Sequence, residues 1–173
     1  MTGVQSALPI FAAREHSAFE LRRKLQQRFY KSVTSDVPPL IERCLLEMQK
    51  RDFQSDERFT NRFVESKLAN NPQGPFRILQ DLQIRGISRE LSQTILSKLA
   101  SHELWLKKAV LCLEQLHKNG KKQTPAALSK KLYQRGFSWE TIEQALAEYA
   151  TINNQLESGE SSAEPETFTT ENP

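Results

Sequence analysis

The sequence predicts an all-α protein: three tandem three-helix repeats forming an elongated, curved helical array, followed by a disordered acidic C-terminal tail. Three observations predict it. Apolar residues recur at helical spacing along most of the chain, no stretch alternates apolar and polar residues as a half-buried strand does, and one pattern occurs more than once. Phe76, Ile78, Leu79 and Leu82 form a stripe that ends at Gly86, and Ser88 opens a second stripe with Leu91, Ile95 and Leu99 on its buried side. Fifty residues on, Leu128, Leu132, Arg135-Gly136-Phe137-Ser138, Ile142 and Leu146 repeat the order. A weaker copy upstream sets Phe19, Leu21 and Leu25 against Phe76, Ile78 and Leu82 at an offset of 57. Units this small need their neighbours to complete a core, so stacking is expected. The boundaries fall at 1–53, 54–100 and 101–156, with the tail at 157–173.

Taken in order, a short helix is expected over Ile10–Glu15, with Pro9 tolerated in its first turn. Ser17 and Glu20 have capping-box spacing, which starts a helix over Ala18–Arg28 with Leu21 and Leu25 inward. Phe29–Val37 reads as a loop and Pro38-Pro39 as the next start. Ile41, Cys44, Leu45 and Met48 then keep the spacing of a core face. Ser55-Asp56-Glu57 sets a hydroxyl cap and two carboxylates at the positive end of a helix dipole, with Phe59, Phe63 and Val64 on the apolar side. Gly74-Pro75 opens the central helix. Ser101 caps a long helix to about Lys118 that carries Trp105, Ala109, Cys112, Leu113 and Leu116. Thr124-Pro125 and Ser138 start the last two, and Ile142, Ala145, Leu146 and Tyr149 face the core of the final one. Nine helices in all are expected. Gly86 and Gly136, each between an apolar stripe and a serine cap, are expected at left-handed helix stops.

Composition narrows the function. The longest mostly apolar run, Ala7–Ala13, is interrupted by Pro9 and is far short of the roughly 20 residues needed to span a bilayer. The opening residues lack the basic region of a secretory signal. Cys44 and Cys112 each lie on a predicted core face, which suits buried reduced thiols and a cytoplasmic protein. Of 24 basic and 21 acidic residues, five carboxylates and no cation lie in the tail, so residues 1–156 carry 24 against 16, a net of +8. A basic body with an acidic extension suits a polyanionic partner.

The residues offer little catalytic chemistry. Gly120-Lys121 has neither the strand nor the second glycine of a phosphate loop. His16, His102 and His117 do not combine with the cysteines at zinc spacing. Asp56 and Glu57 fit dipole complementarity better than an acid–base pair, and His16 fits a hydrogen-bonding role at a helix junction. No catalytic residue, metal ligand or cofactor is therefore expected. The better lead is a recurrence of cations on equivalent helices: Arg22, Arg23, Lys24 and Arg28; Arg77 and Arg85; Lys130, Lys131 and Arg135. Together they could line one long surface with positive charge. Trp105 and Trp139 could stack on bases, but packing between repeats is the expected role of both.

Several of these residues carry a resemblance. Arg14-Glu15-His16-Ser17 with Glu20-Leu21 and Leu25, Ser55-Asp56-Glu57-Arg58-Phe59, Gly74-Pro75-Phe76-Arg77-Ile78 with Leu82 and Arg85-Gly86-Ile87, and Leu132 with Arg135-Gly136-Phe137-Ser138 and Ile142 resemble, in that order, the RecX family of bacterial RecA regulators. The resemblance implies three three-helix repeats, binding to RecA filaments and to single- and double-stranded DNA, inhibition of recombinase and coprotease activity in DNA repair and the SOS response, and no catalysis. It implies no cofactor and no membrane, and the protein is expected to be a monomer. The chain departs from the family where a glycine usually follows the second helix: Arg28-Phe29-Tyr30 and a longer connection stand there. A stand-alone helical DNA-binding module and a solenoid-type protein adaptor are the alternative readings.

Overall fold

The computed structural model describes residues 14–29, 37–70, 72–118 and 123–159. Among these residues all regular structure is helical, in eight helices: α1 Ala18–Phe29, α2 Val37–Lys50, α3 Asp56–Asn70, α4 Pro75–Ile84, α5 Arg89–Leu99, α6 His102–Lys118, α7 Pro125–Gln134 and α8 Trp139–Gly159. Most of the expected first helix, Ile10–Glu15, lies outside the described residues, and Arg14 and Glu15 are not helical. The tail expected from 157 lies outside them from 160 onward. Its first residues, to Gly159, instead extend α8.

Starts and stops follow local chemistry. The Ser17, Ser55, Ser88, Thr124 and Ser138 hydroxyls each accept a backbone N–H from the first helical turn, at 3.1, 3.2, 3.3, 3.3 and 3.2 Å. Each satisfies a donor that the helix itself leaves free. Glu20 does not complete the predicted capping box; its carboxylate turns instead to Arg85, 3.5 Å away. Gly86 and Gly136 stop α4 and α7 at φ +76 and +86, as the stripe-then-serine pattern predicts.

The helices pack in three sets around three cores: α1 with α2, α3 with α4 and α5, and α6 with α7 and α8. Leu21, Leu25, Ile41, Cys44, Leu45 and Met48 fill the first. Phe59, Val64, Ile78, Leu82 and Ile95 are central to the second. Ala109, Cys112, Leu113, Leu132, Phe137, Ile142 and Ala145 are central to the third. α6 does not respect the division: its Trp105 is buried in the second core, and Lys108 donates to the Leu68 carbonyl near the end of α3.

Four apolar residues sit differently from the sequence pattern. Phe76, on the predicted α4 stripe, is 58% exposed, because α4 turns its Ile78–Leu82 edge inward and leaves Phe76 at a boundary between sets. α5 buries Ser92, Ile95 and Leu96, while Leu91 and Leu99 are only partly covered. Ser92 can be buried because its hydroxyl donates to the Ser88 carbonyl, 2.8 Å away. Trp139, expected to pack between repeats, is 60% exposed and donates its indole N–H to Glu143 at 2.8 Å.

Candidate interaction surface

The sets meet at two joints of common design, in each of which the start of one set's helix lies on the glycine stop of the next. At the first, the start of α1 lies on the α4–α5 turn. The Ser17 hydroxyl donates to the Arg85 carbonyl at 2.7 Å, and the Ala18 N–H donates to the Asp56 carboxylate at 2.8 Å. A side chain at Gly86 would collide with Phe19, its Cβ 2.4 Å from that of Phe19. Buried Gln54 ties the joint together, donating to Asp56 at 2.8 Å and to the His16 carbonyl at 3.4 Å. Around it Arg58 pairs with Glu15 at 2.7 Å.

At the second joint the start of α4 lies on the α7–α8 turn. The Gly74 N–H donates to the Arg135 carbonyl at 2.9 Å, and the Phe76 N–H to the Gly136 carbonyl at 3.0 Å. A Cβ on Gly74 would stand 2.2 Å from the Gly136 carbonyl carbon, and one on Gly136 2.4 Å from the Arg77 nitrogen. Both glycines are required for this backbone contact.

His16 is buried at the first joint, its Nε2 accepting from Lys24 Nζ at 2.6 Å and its Nδ1 without a partner. Burial, and then the Lys24 charge, hold its pKa below the ordinary 6.5. Burial pushes the thiols of Cys44 and Cys112 up, so both favour the neutral form. Lys108 is pushed down by the same desolvation.

The predicted basic residues fall into two kinds. Several are engaged within the fold: Arg22 with Glu42 at 2.6 Å, Lys24 with His16, and Arg135 with the Cys112 sulfur at 2.8 Å. Arg77 and Arg85 are brought together, with Lys67, around Asp81. Lys67 lies 3.0 Å and Arg77 3.7 Å from its carboxylate, and Arg85 donates to its carbonyl at 2.7 Å. Arg85 and Lys67 also cover the Phe63 ring, at 4.7 and 5.3 Å from its centre. Among the described residues Arg23, Lys130 and Lys131 lie beyond salt-bridge distance of any carboxylate; Arg23 and Lys130 are exposed, Lys131 partly so.

Beside the second joint runs an open groove lined by Phe76, Arg77, Gln80, Tyr133, Gln134 and Gly136, with Phe137 at its floor. It adjoins another between α4 and α5 that shares Phe76 and Gln80 and adds Gln83, Arg89 and Gln93. No carboxylate lines either. The sequence gives no sign of the roles of Tyr133, Gln54 and Asp81. None of the three stands among the expected core or site residues. Among the described residues no three His, Cys, Asp or Glu side chains stand together as a metal site, and no helix is long and apolar enough to cross a membrane.

Known proteins share this fold. A family profile for the second three-helix domain of RecX matches residues 55–96. The regulatory protein RecX of Legionella pneumophila (strain Corby) is 30% identical over 146 residues, covering 83% of this chain and 91% of that protein. That of Salmonella paratyphi A is 30% identical over 154 residues, covering 83% and 89%. The crystal structure of RecX from Lactobacillus salivarius superposes with a TM-score of 0.74 over 86% of this chain and 95% of that one, at 20% identity. Kinship of this extent, on a fold of the same helical design, makes the chain a member of the RecX family of regulatory proteins.

Proposed function

We propose that this chain is a non-enzymatic, cytoplasmic, monomeric regulator that binds RecA and RecA–DNA filaments and inhibits their recombinase and coprotease activities. The observation that carries the reading is kinship along nearly the whole helical part with proteins named as regulatory RecX. The three helix sets correspond to repeats divided at about 53 and 100, and each presents a different part of one surface. Arg23, Lys130 and Lys131 are, among the described residues, cations on these helices that can meet phosphates without first leaving a carboxylate. Arg77 and Arg85 meet them at the Asp81 cluster, where cations outnumber carboxylates. Arg22, Lys24 and Arg135 then act mainly by holding the scaffold.

The test is the single-stranded-DNA-dependent ATPase of RecA with and without the protein. Inhibition is expected at well below one molecule per RecA subunit, because an array of this length reaches more than one subunit. The combined change Arg23→Ala, Lys130→Ala and Lys131→Ala should weaken inhibition and reduce its salt dependence, by about 0.7 in log–log slope for each single-strand phosphate no longer neutralised. An unaltered ATPase at equimolar protein, with DNA binding intact, would instead make the chain a stand-alone DNA-binding module.

A further inference from the structure

We propose that the groove at the second joint is a stacking site for bases of single-stranded nucleic acid, held between Phe76 and Tyr133 while Arg77 meets the backbone. The proposal rests on the reading of the chain as a DNA-binding regulator, and it specifies which form of nucleic acid is bound and where.

Phe76 and Tyr133 are 58% and 66% exposed, among the most exposed large apolar side chains described, and they line the same groove from different helices. Neither position is dictated by packing, since the core neighbours Ile78 and Leu132 are fully buried beside them. Exposed rings flanked by a cation are what a sequence-tolerant base platform requires, because every base offers a π-face. A duplex offers only base edges to its grooves, so rings of this kind engage strands whose bases are unstacked.

The rest of the lining suits the same ligand. Gln80 and Gln134 carry amides that can donate to or accept from any base edge. The lack of a carboxylate removes the main source of repulsion toward phosphates, and the adjoining groove continues this chemistry through Gln83, Arg89 and Gln93. Aromatic residues and arginine also favour protein interfaces. Charge decides for the polyanion here, because the groove is lined by a cation and amides with no acid among them, and Arg77, 3.7 Å from Asp81, remains half-exposed. The backbone contact of Gly74 and Phe76 with the α7–α8 turn holds the starts of the two carrying elements together before any ligand arrives.

The experiment uses the full chain without RecA and two labelled probes: an oligo(dT) of about 20 nucleotides and an abasic oligomer with the same phosphates. The wild type is expected to prefer oligo(dT) by at least about tenfold. Phe76→Leu and Tyr133→Leu keep an apolar side chain and should leave thermal unfolding unchanged, yet each should lose about tenfold affinity for oligo(dT) and none for the abasic probe. Arg77→Ala should lower the salt slope for both probes by about 0.7. Equal wild-type affinity for the two probes, or leucine variants that bind oligo(dT) as the wild type does, overturns the proposal. Leucine variants that lose RecA inhibition but keep oligo(dT) affinity also overturn it and assign the groove to a protein. A wild type that discriminates the probes but leaves RecA untouched supports the site while the RecA reading falls.

Discussion

The two joints solve the same problem with different atoms. In both, a helix start lies on a left-handed glycine with a phenylalanine beside it, Phe19 over Gly86 and Phe76 beside Gly136. The first is closed by side chains, through Ser17, Asp56, Gln54 and the surrounding ion pairs. The second is closed by the backbone, through Gly74, Phe76, Arg135 and Gly136. A backbone joint is insensitive to ionisation and intolerant of any added atom. A side-chain joint can be tuned by pH and loosened one residue at a time.

That contrast can be broken most severely at Gly136. Gly136→Ala meets both a left-handed backbone and the Arg77 nitrogen, so we expect a loss of roughly 3–5 kcal/mol in denaturant unfolding. An unshifted midpoint would show that the two sets do not touch there. Gly86→Ala should cost less, about 2–3 kcal/mol, because the obstacle is a side chain. Coupling in a double-mutant cycle separates the joints. Gly86→Ala with Phe19→Gly should recover about 1 kcal/mol, whereas Gly136→Ala with Arg77→Gly should recover almost none, since the backbone nitrogen remains.

Smaller effects sharpen the comparison. Asp56→Ala removes the acceptor of the Ala18 N–H and should cost about 1–2 kcal/mol, with no equivalent residue at the second joint to test. A value near zero would mean that water serves Ala18 equally well. His16 gives the pH dependence its sign. Its folded pKa is depressed, so the unfolded chain takes up the proton first as the pH falls. Stability should be unaffected above the ordinary pKa of 6.5 and decline below it until the folded form also protonates. His16→Gln should flatten that decline in melts across the same pH range, and an unchanged slope would place the titrating group elsewhere.

Much of this is legible in the sequence. Caps at Ser17, Ser55, Ser88, Thr124 and Ser138, the glycine stops, and the core residues of α2 and α6 follow from rules acting within a few residues. What local periodicity cannot show is how the sets meet. Phe76 belongs to the α4 stripe by spacing, but its neighbour in space is the turn at Gly136, sixty residues away in sequence. Trp139 misleads for the same reason: an aromatic residue beside a helix boundary packs or protrudes according to the next unit. The basic residues can be found by type and helix, but Glu42, the partner of Arg22, and Glu20, the partner of Arg85, lie on other helices, and only Asp81 stands one turn from Arg77 on α4 itself. Sequence spacing alone does not tell a scaffold arginine from one open to DNA.

The helix that crosses between sets has a mechanical consequence. α6 buries Trp105 in the second core, fastens Lys108 to the end of α3, and continues into the third core with Ala109, Cys112 and Leu113. Flexing the protein between those cores would require pulling an indole out of its socket or bending a seventeen-residue rod in its middle. The second and third sets therefore move as one lever arm. A curved partner can be followed only by turning the first set about its side-chain joint, which acts as the wrist of the molecule.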